Sequence, residues 1–124
     1  LWNEDGTPID LITWKDGEMH GEYVNWYSNG NKRCEHNYQD GKPHGVCITW
    51  HENGQKETHS NYQYGRREGK TMGWYENGQI QYEDNYEDGL LDGYSVSFRE
   101  NGSKRKEENY KHGFCWNRTN HVEG

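Results

Sequence analysis

The chain repeats itself every 24 residues along most of its length. Three ladders of glycine carry this spacing and together hold 14 of the 16 glycines. The ladders are Gly6, Gly30, Gly54, Gly78 and Gly102; Gly17, Gly41, Gly65, Gly89 and Gly113; and Gly21, Gly45, Gly69 and Gly93. Such a period is typical of proteins in which each repeat is one small unit that buries its apolar surface only against its neighbours.

Aromatic residues keep the same spacing in two columns. One column is Trp2, Trp26, Trp50, Trp74 and Phe98, and the other is Trp14, Tyr38, Tyr62, Tyr86 and Tyr110. Only 28% of the residues are hydrophobic, yet the chain holds 6 Trp and 10 Tyr. Because disordered segments are poor in aromatic residues, this composition indicates a folded chain whose apolar residues are large, sparse and regularly placed.

Each repeat contains two turn sequences. Asn-Gly, as at Asn77-Gly78, lies between runs rich in Tyr, Trp, Ile, Val and Thr. It predicts a β-hairpin with a type I′ turn, in which both central residues have positive φ. The second sequence, as in residues 38–45, has two glycines four residues apart and predicts a wider turn into the next hairpin.

The predicted fold is all-β: an elongated, twisted, single-layer antiparallel sheet of tandem hairpins. A lone hairpin is marginal in water, whereas stacked hairpins pair their edges and align their aromatic columns. We expect one domain, 1–124, with a partial repeat at 1–21, full repeats at 22–45, 46–69 and 70–93, a last repeat at 94–113 and a degenerate cap at 114–124. In the cap, Asn117 replaces the expected glycine and Val122 falls in the aromatic column.

Two hairpin registers are compatible with the repeat. A two-residue turn places Tyr75 opposite Ile80, so that Trp74 shares its face with polar residues 81 and 83. A bulged three-residue turn places the following residues on one face: Met72, Trp74, Ile80, Tyr82 and Tyr86. We favour the second register because it separates apolar from polar residues better, and burial normally specifies register.

The net charge of −7, from 14 basic and 21 acidic residues, disfavours nucleic-acid binding, which neutralises phosphates with Lys and Arg. It also disfavours anionic membranes and favours a basic partner. Short basic runs, such as residues 104–106, leave membrane lipids as an alternative. The odd set of Cys34, Cys47 and Cys115 matches no disulfide framework or zinc signature, which weakly favours a cytoplasmic protein.

No pattern in the sequence indicates catalysis, a metal or a cofactor, so we expect none of them. His20 and His44 are in phase, but the next members of their column are Glu68 and Asp92. In-phase residues of stacked hairpins lie about 9.6 Å apart, too far to share one metal ion, and we interpret these four as turn residues. We interpret His51, in the column of Tyr27 and Tyr75, as a surface variant.

The segment from Trp74 to Gly93 resembles MORN repeats. It is most similar to the bacterial MORN-variant repeats of YwqK-type antitoxins, and the resemblance covers about residues 1–113. It implies a curved single-layer sheet that works by binding, since MORN proteins serve as protein scaffolds and some are linked to phospholipids. The antitoxin resemblance implies that a toxin is neutralised by contact.

The aromatic columns are the candidate partner-binding residues: Trp26, Trp50, Trp74, Phe98, Tyr38, Tyr62, Tyr86 and Tyr110. Their alternative role is to stack on each other in place of a core, but a single layer cannot hide both sides of them, and exposed apolar stripes usually mark interaction sites. We therefore expect a non-enzymatic protein-interaction scaffold, such as an antitoxin or immunity protein. A phospholipid-binding module, a structural spacer of a longer protein, and pairing of exposed sheet edges into oligomers are the alternatives.

Overall fold

The computed structural model describes residues 11–122, with side chains from residue 14 onward. All 13 strands in this range form one open antiparallel sheet, which confirms the predicted fold class. The strands are β1 Leu11–Lys15, β2 Glu18–Trp26, β3 Lys32–Gln39, β4 Lys42–Pro43, β5 Gly45–Trp50, β6 Lys56–Gln63, β7 Arg66–Arg67, β8 Gly69–Trp74, β9 Ile80–Glu87, β10 Leu90–Leu91, β11 Gly93–Phe98, β12 Lys104–Lys111 and β13 Phe114–Asn120. The ten longer strands lie in sequence order, and the short strands β4, β7 and β10 each pair with the strand before them. Trp2, Gly6 and the rest of residues 1–10 of the predicted partial repeat lie outside the described residues.

The type I′ turn lies at the second turn sequence of each repeat, not at Asn-Gly. Asp40 and Gly41 have φ of 51° and 80°, and Gln39 pairs with Lys42 across them. Positive φ at both central residues defines this turn, and it recurs at 16–17, 64–65, 88–89 and 112–113. The predictions of a type I′ turn at Asn-Gly and of a wider second turn are therefore wrong.

The Asn-Gly turns are three-residue turns with a bulge. After β8, the amide of Gly78 donates to the carbonyl of Tyr75 at 2.9 Å, and the amide of Tyr75 donates to the carbonyl of Gln79 at 2.8 Å. Gly78 has a φ of 89°, whereas Asn77 is not among the residues with positive φ. This is a type I turn followed by a left-handed glycine. Trp74 consequently lies opposite Ile80, which confirms the favoured turn.

A second bulge follows immediately and changes the faces. Gly73 pairs with Tyr82, so Gln81 is an extra residue on β9. Because side chains alternate along a strand, one extra residue moves everything beyond it to the opposite face. Tyr82 and Tyr86 thus lie on the other face of the sheet from Trp74, and the prediction that they share its face is wrong. The ring of Tyr82 lies over Gly73, where an added Cβ would be 2.2 Å from a ring carbon.

The sheet therefore has two different faces. The tryptophan face carries Trp26, Trp50, Trp74 and Phe98, and the tyrosine face carries Tyr38, Tyr62, Tyr86 and Tyr110. On the tryptophan face the buried residues are apolar, Val24 and Val96. On the tyrosine face they are mainly polar: Cys47, Ser60, Thr71, Ser95 and Glu108.

Side chains join successive repeats at the Asn-Gly end of the hairpins. The amide nitrogens of Asn29, Asn53 and Asn77 donate to backbone carbonyls of the next repeat at 2.9, 2.9 and 3.0 Å. The hydroxyl of Tyr75 donates to the carbonyl of Phe98 at 2.7 Å, and Nε2 of His51 lies 2.8 Å from the carbonyl of Trp74. His51 therefore joins two repeats as Tyr75 does, and its interpretation as a surface variant is wrong.

The type I′ end of the hairpins has its own joints. Side chains of His44, Glu68 and Asp92 accept hydrogen bonds from the amides of residues 64, 88 and 112, at 3.2, 2.9 and 3.1 Å. The accepting residues differ in chemistry but share one function, which is to hold the left-handed residue of the next turn. Within the described chain, no group of three or more His, Cys, Asp or Glu residues could hold a metal ion.

The last strand does not follow the repeat. Between β9 and the β10–β11 segment, Leu91 pairs with Tyr86 and Val96 with Glu83, which leaves two extra residues on the second chain segment. On β13, Cys115 pairs with Tyr110 and Arg118 with Glu108, which leaves only one extra residue, Trp116. The register of β13 is therefore displaced by one residue from the position that the repeat would give it.

Candidate functional site

All eight predicted site residues are half-buried. The structure brings the members of each column onto one face, but it separates the two columns onto opposite faces. A partner that touches one face of the sheet therefore meets one column and not the other.

Each tyrosine of the tyrosine face lies opposite a glycine with positive φ. Tyr62 pairs with Gly45, whose φ is 90°, and Tyr86 with Gly69, whose φ is 79°. The glycine accepts the backbone conformation of the bulge and presents no side chain beside the ring. On its other side, each tyrosine pairs with a residue that differs between repeats: Pro43, Arg67, Leu91 and Cys115.

Arg67 lies between two tyrosines of this face. Its Nε donates to the hydroxyl of Tyr62 at 3.2 Å and its Nη1 to that of Tyr86 at 3.4 Å. The guanidinium carbon is 5.9 and 5.4 Å from the two ring centroids. Partial burial alone would lower the pKa of Arg67, but hydrogen bonds and the phenolic oxygens outweigh it and raise the pKa. A positive charge held by two tyrosine hydroxyls therefore lies on the tyrosine face, near the type I′ end of the hairpins.

A row of polar residues runs beside the tyrosine column. Its cross-strand pairs are Cys47 with Ser60, Thr71 with Asp84, and Ser95 with Glu108. This row was not predicted from the sequence, although its spacing indicates it. Each member lies two residues before a column tyrosine or two residues after a ladder glycine, and strand alternation places such residues on the same face.

Cys47 of this row and His36 on the adjacent strand β3 have the residue types of a nucleophile and a base. The thiol sulfur of Cys47 lies 2.9 Å from Nδ1 of His36. Burial raises the pKa of Cys47 and lowers the pKa of His36. Both shifts favour the neutral forms, whereas reactive cysteines depend on the thiolate. The pair acts as a structural hydrogen bond.

An open pocket of about 290 Å³ lies on the tyrosine face between β9, β11 and β12. Its lining includes Tyr82, Asp84, Ser95, Phe98, Glu108 and Tyr110. The carboxylate of Asp84 accepts a hydrogen bond from the hydroxyl of Ser95. Burial raises the pKa of Asp84 above its usual range, so the charged form of this residue is held at a cost in folding free energy.

The pKa of Glu108 is shifted in the opposite direction from that of Asp84. Burial would raise the pKa of Glu108, but hydrogen bonds from Tyr110, Arg118 and Lys106 outweigh it and lower the pKa. Its Oε2 lies 2.6 Å from Nη2 of Arg118, and its Oε1 lies 3.3 Å from Nζ of Lys106. Glu108 is therefore a buried, fully partnered carboxylate.

The tryptophan face resembles a thin core. Val24 and Val96 are 2% and 4% exposed, and ion pairs lie over the neighbouring rows, with Lys70 and Glu83 at 2.8 Å and Lys104 and Glu107 at 2.9 Å. Lys32 lies 5.8 Å from the ring of Trp50. Apolar burial and satisfied charges are what a face needs to stabilise a single layer.

Stacked hairpins in one open sheet, with a half-buried aromatic column on each face, define a β-hairpin repeat protein. The family model of the MORN repeat variant matches residues 19–40, 43–64, 67–88 and 91–112, and the chain belongs to this family. No match was found among curated proteins. MORN repeats are generally non-enzymatic modules that take part in protein or membrane interactions.

Proposed function

We propose that this chain is a non-enzymatic protein-binding scaffold whose tyrosine face contacts the partner. The observation that carries the proposal is the composition of that face. It carries the half-buried tyrosine column, with the exposed Arg67 hydrogen-bonded to the hydroxyls of Tyr62 and Tyr86. Tyr and Arg are enriched among binding hot spots.

The tryptophan column has a different role in this proposal. Its four members lie on the face where apolar residues are buried and ion pairs are formed. We assign them to the stability of the sheet. The set of eight candidate residues thereby narrows to Tyr38, Tyr62, Tyr86 and Tyr110 for partner contact.

An antitoxin or immunity role is the form of scaffold that the sequence supports best. The resemblance to YwqK-type antitoxins favours it, and so does the net charge of −7, which attracts a basic partner. In this role the chain would neutralise a basic toxin by covering its surface.

Affinity capture with the tagged chain from its own cells tests the face. We expect Tyr62→Ser with Tyr86→Ser to reduce the captured partner by at least about tenfold, because hot-spot aromatics each contribute about 2 kcal/mol or more. The matched control, His59→Ser with Glu83→Ser, changes the residues three positions earlier in the same strands, on the tryptophan face, and should leave capture unchanged. Circular dichroism verifies that both variants fold. Equal capture by both double variants would contradict the proposal.

Phospholipid binding is the second candidate function. It is supported by Lys32 beside the ring of Trp50 on the tryptophan face, since Lys and Trp together suit a membrane interface. Sedimentation with anionic vesicles tests it: salt-sensitive binding that is lost in Lys32→Gln with Lys56→Gln supports it. Binding to neither vesicles nor any captured protein would favour the structural-spacer alternative.

A further inference from the structure

The pocket between β9, β11 and β12 has walls suited to a cation. Tyr82 and Tyr110, which lie on the tyrosine face, provide aromatic surface, and two carboxylates lie in the same lining. Aromatic faces attract ammonium and guanidinium groups, and carboxylates form short, strong hydrogen bonds with them.

The two carboxylates of the pocket differ in their partners. Glu108 is neutralised by Arg118 and Lys106, at 2.6 and 3.3 Å. Asp84 accepts a hydrogen bond from the hydroxyl of Ser95 and has no ion-pair partner within residues 14–122. Asp84 is therefore the carboxylate of the pocket that no side chain of the described residues holds in an ion pair.

A buried hydroxyl points to the same place. Ser97 lines the pocket, and its Oγ is buried without a hydrogen-bond partner among the described residues. Such atoms are rare in folded proteins because each lost hydrogen bond costs free energy. The unsatisfied hydroxyl of Ser97 lies in the wall of the pocket that Asp84 also lines.

We propose that this pocket receives a basic side chain, lysine or arginine, of the protein partner. The cationic group binds the carboxylate of Asp84, and the methylene stem packs against Tyr82. The proposal rests on the proposed scaffold function and adds the chemistry of the partner. The net charge of −7 attracts a basic protein to the whole chain, and the pocket selects one side chain of it.

Charged side chains of both signs line the pocket. β12 contributes Arg105, Lys106 and Glu108 to the lining, and Lys106 is held by Glu108. Arg67, from β7, acts on Asp84 at longer range. Arg105 is exposed at the rim, where its charge opposes an incoming cation. The raised pKa of Asp84 also means that cation binding weakens as the pH falls through that pKa.

Titration of the isotope-labelled chain with short synthetic peptides, followed by NMR, tests the proposal. The peptide is a glycine-serine sequence with one central arginine, and its control carries citrulline, the neutral analogue of arginine. We expect the arginine peptide to shift the amide signals of Asp84 and Ser95 at millimolar concentration, and the citrulline peptide to leave them in place. Equal shifts with both peptides, or none with either, would overturn the proposal.

Three variants sharpen the experiment. Asp84→Asn should weaken binding of the arginine peptide about tenfold, as expected for loss of a hydrogen bond between charged groups. Asp88→Asn removes the same charge from an exposed turn and should have no effect. Arg105→Gln should strengthen binding; if it weakens binding, the pocket prefers anions and the proposal fails.

Failure of this inference and failure of the scaffold function have different signatures. If Tyr62→Ser with Tyr86→Ser abolishes capture of the cellular partner while Asp84→Asn leaves capture unchanged, the scaffold function stands and the basic-side-chain site falls. Asp84→Asn is a safe variant for this purpose, because it replaces a half-buried carboxylate whose raised pKa opposes folding at neutral pH.

Discussion

The internal repeats and the last strand differ in how the chain passes from a type I′ turn into the strand that follows it. Where β10 continues into β11, two extra residues bulge out of the ladder and Gly93 takes a φ of 99°. Where β13 begins, Asn117 occupies the equivalent position without positive φ, and one residue bulges instead. We therefore expect this glycine to determine the register of the strand that follows it.

The displaced register has a chemical consequence. Because strand alternation has a period of two, a shift by one residue exchanges the faces of the whole strand. Arg118 comes to lie opposite Glu108 on the tyrosine face, where the two form an ion pair at 2.6 Å. An ion pair thus joins the last strand to β12, whereas Asn and Tyr side chains join the internal repeats through hydrogen bonds to backbone carbonyls.

The strongest test of this comparison transfers the asparagine into an internal repeat. Gly93→Asn should destabilise the chain by about 2–4 kcal/mol, from backbone strain and from loss of Val96 burial if β11 slips. The effect is conformational, since an added Cβ at Gly93 would meet only ordinary contact, 3.7 Å from Asn85. Urea unfolding measures it.

The reverse change is the control. Asn117→Gly should cost no more than about 1 kcal/mol, the usual penalty of glycine in a strand. If the two substitutions have equal effects, positive φ at the glycine ladder does not determine the register.

The second largest effect is expected at the buried apolar row. Val96→Ala removes two methyl groups from a residue that is 4% exposed and should cost about 1.5–2.5 kcal/mol. Asn120 would occupy the equivalent place in the next repeat but is exposed, and Asn120→Ala should change stability by less than about 0.5 kcal/mol. Similar losses in both variants would show that β13 is packed like an internal strand.

The parts of this architecture that the sequence predicts are those that depend on residues close together in the chain. The glycine ladders and aromatic columns predict hairpins, one sheet and the three-residue turn, because each depends on residues close in the chain. The side of the sheet on which Tyr86 lies depends on a bulge at Gln81 that no residue type at that position marks. The polar row could have been predicted from its spacing to the glycines and tyrosines, whereas the site at Asp84 depends on side chains of three strands that meet only in the folded sheet.

Joints between internal repeats should have a moderate effect. Tyr75→Phe removes the hydroxyl that donates to the carbonyl of Phe98 at 2.7 Å and should cost about 1 kcal/mol, the usual contribution of one hydrogen bond. Tyr27→Phe removes the corresponding bond to Trp50, also 2.7 Å, and should match it. A loss in one variant only would show that the joints are not equivalent, and thermal unfolding in parallel resolves the difference.

The smallest effect is expected at the charged joint of the last strand. Arg118→Gln removes the ion pair with Glu108, but the Arg118 side chain is 53% exposed, and such pairs contribute little because solvent screens them. Lys106 and Tyr110 remain as partners of Glu108. The loss at neutral pH should therefore be smaller than that of Val96→Ala.

The pH dependence distinguishes this joint from the uncharged ones. The pKa of Glu108 is lowered in the folded chain, so its ion pairs stabilise the fold above the ordinary glutamate pKa, and that contribution is lost as the pH falls through the lowered value. The difference between wild type and Arg118→Gln should thus close in acid, whereas the Tyr75→Phe difference should persist. A gap that stays open after Glu108 is protonated would mean that Arg118 stabilises the edge by packing, and that the shifted register of β13 serves apolar contact and not charge.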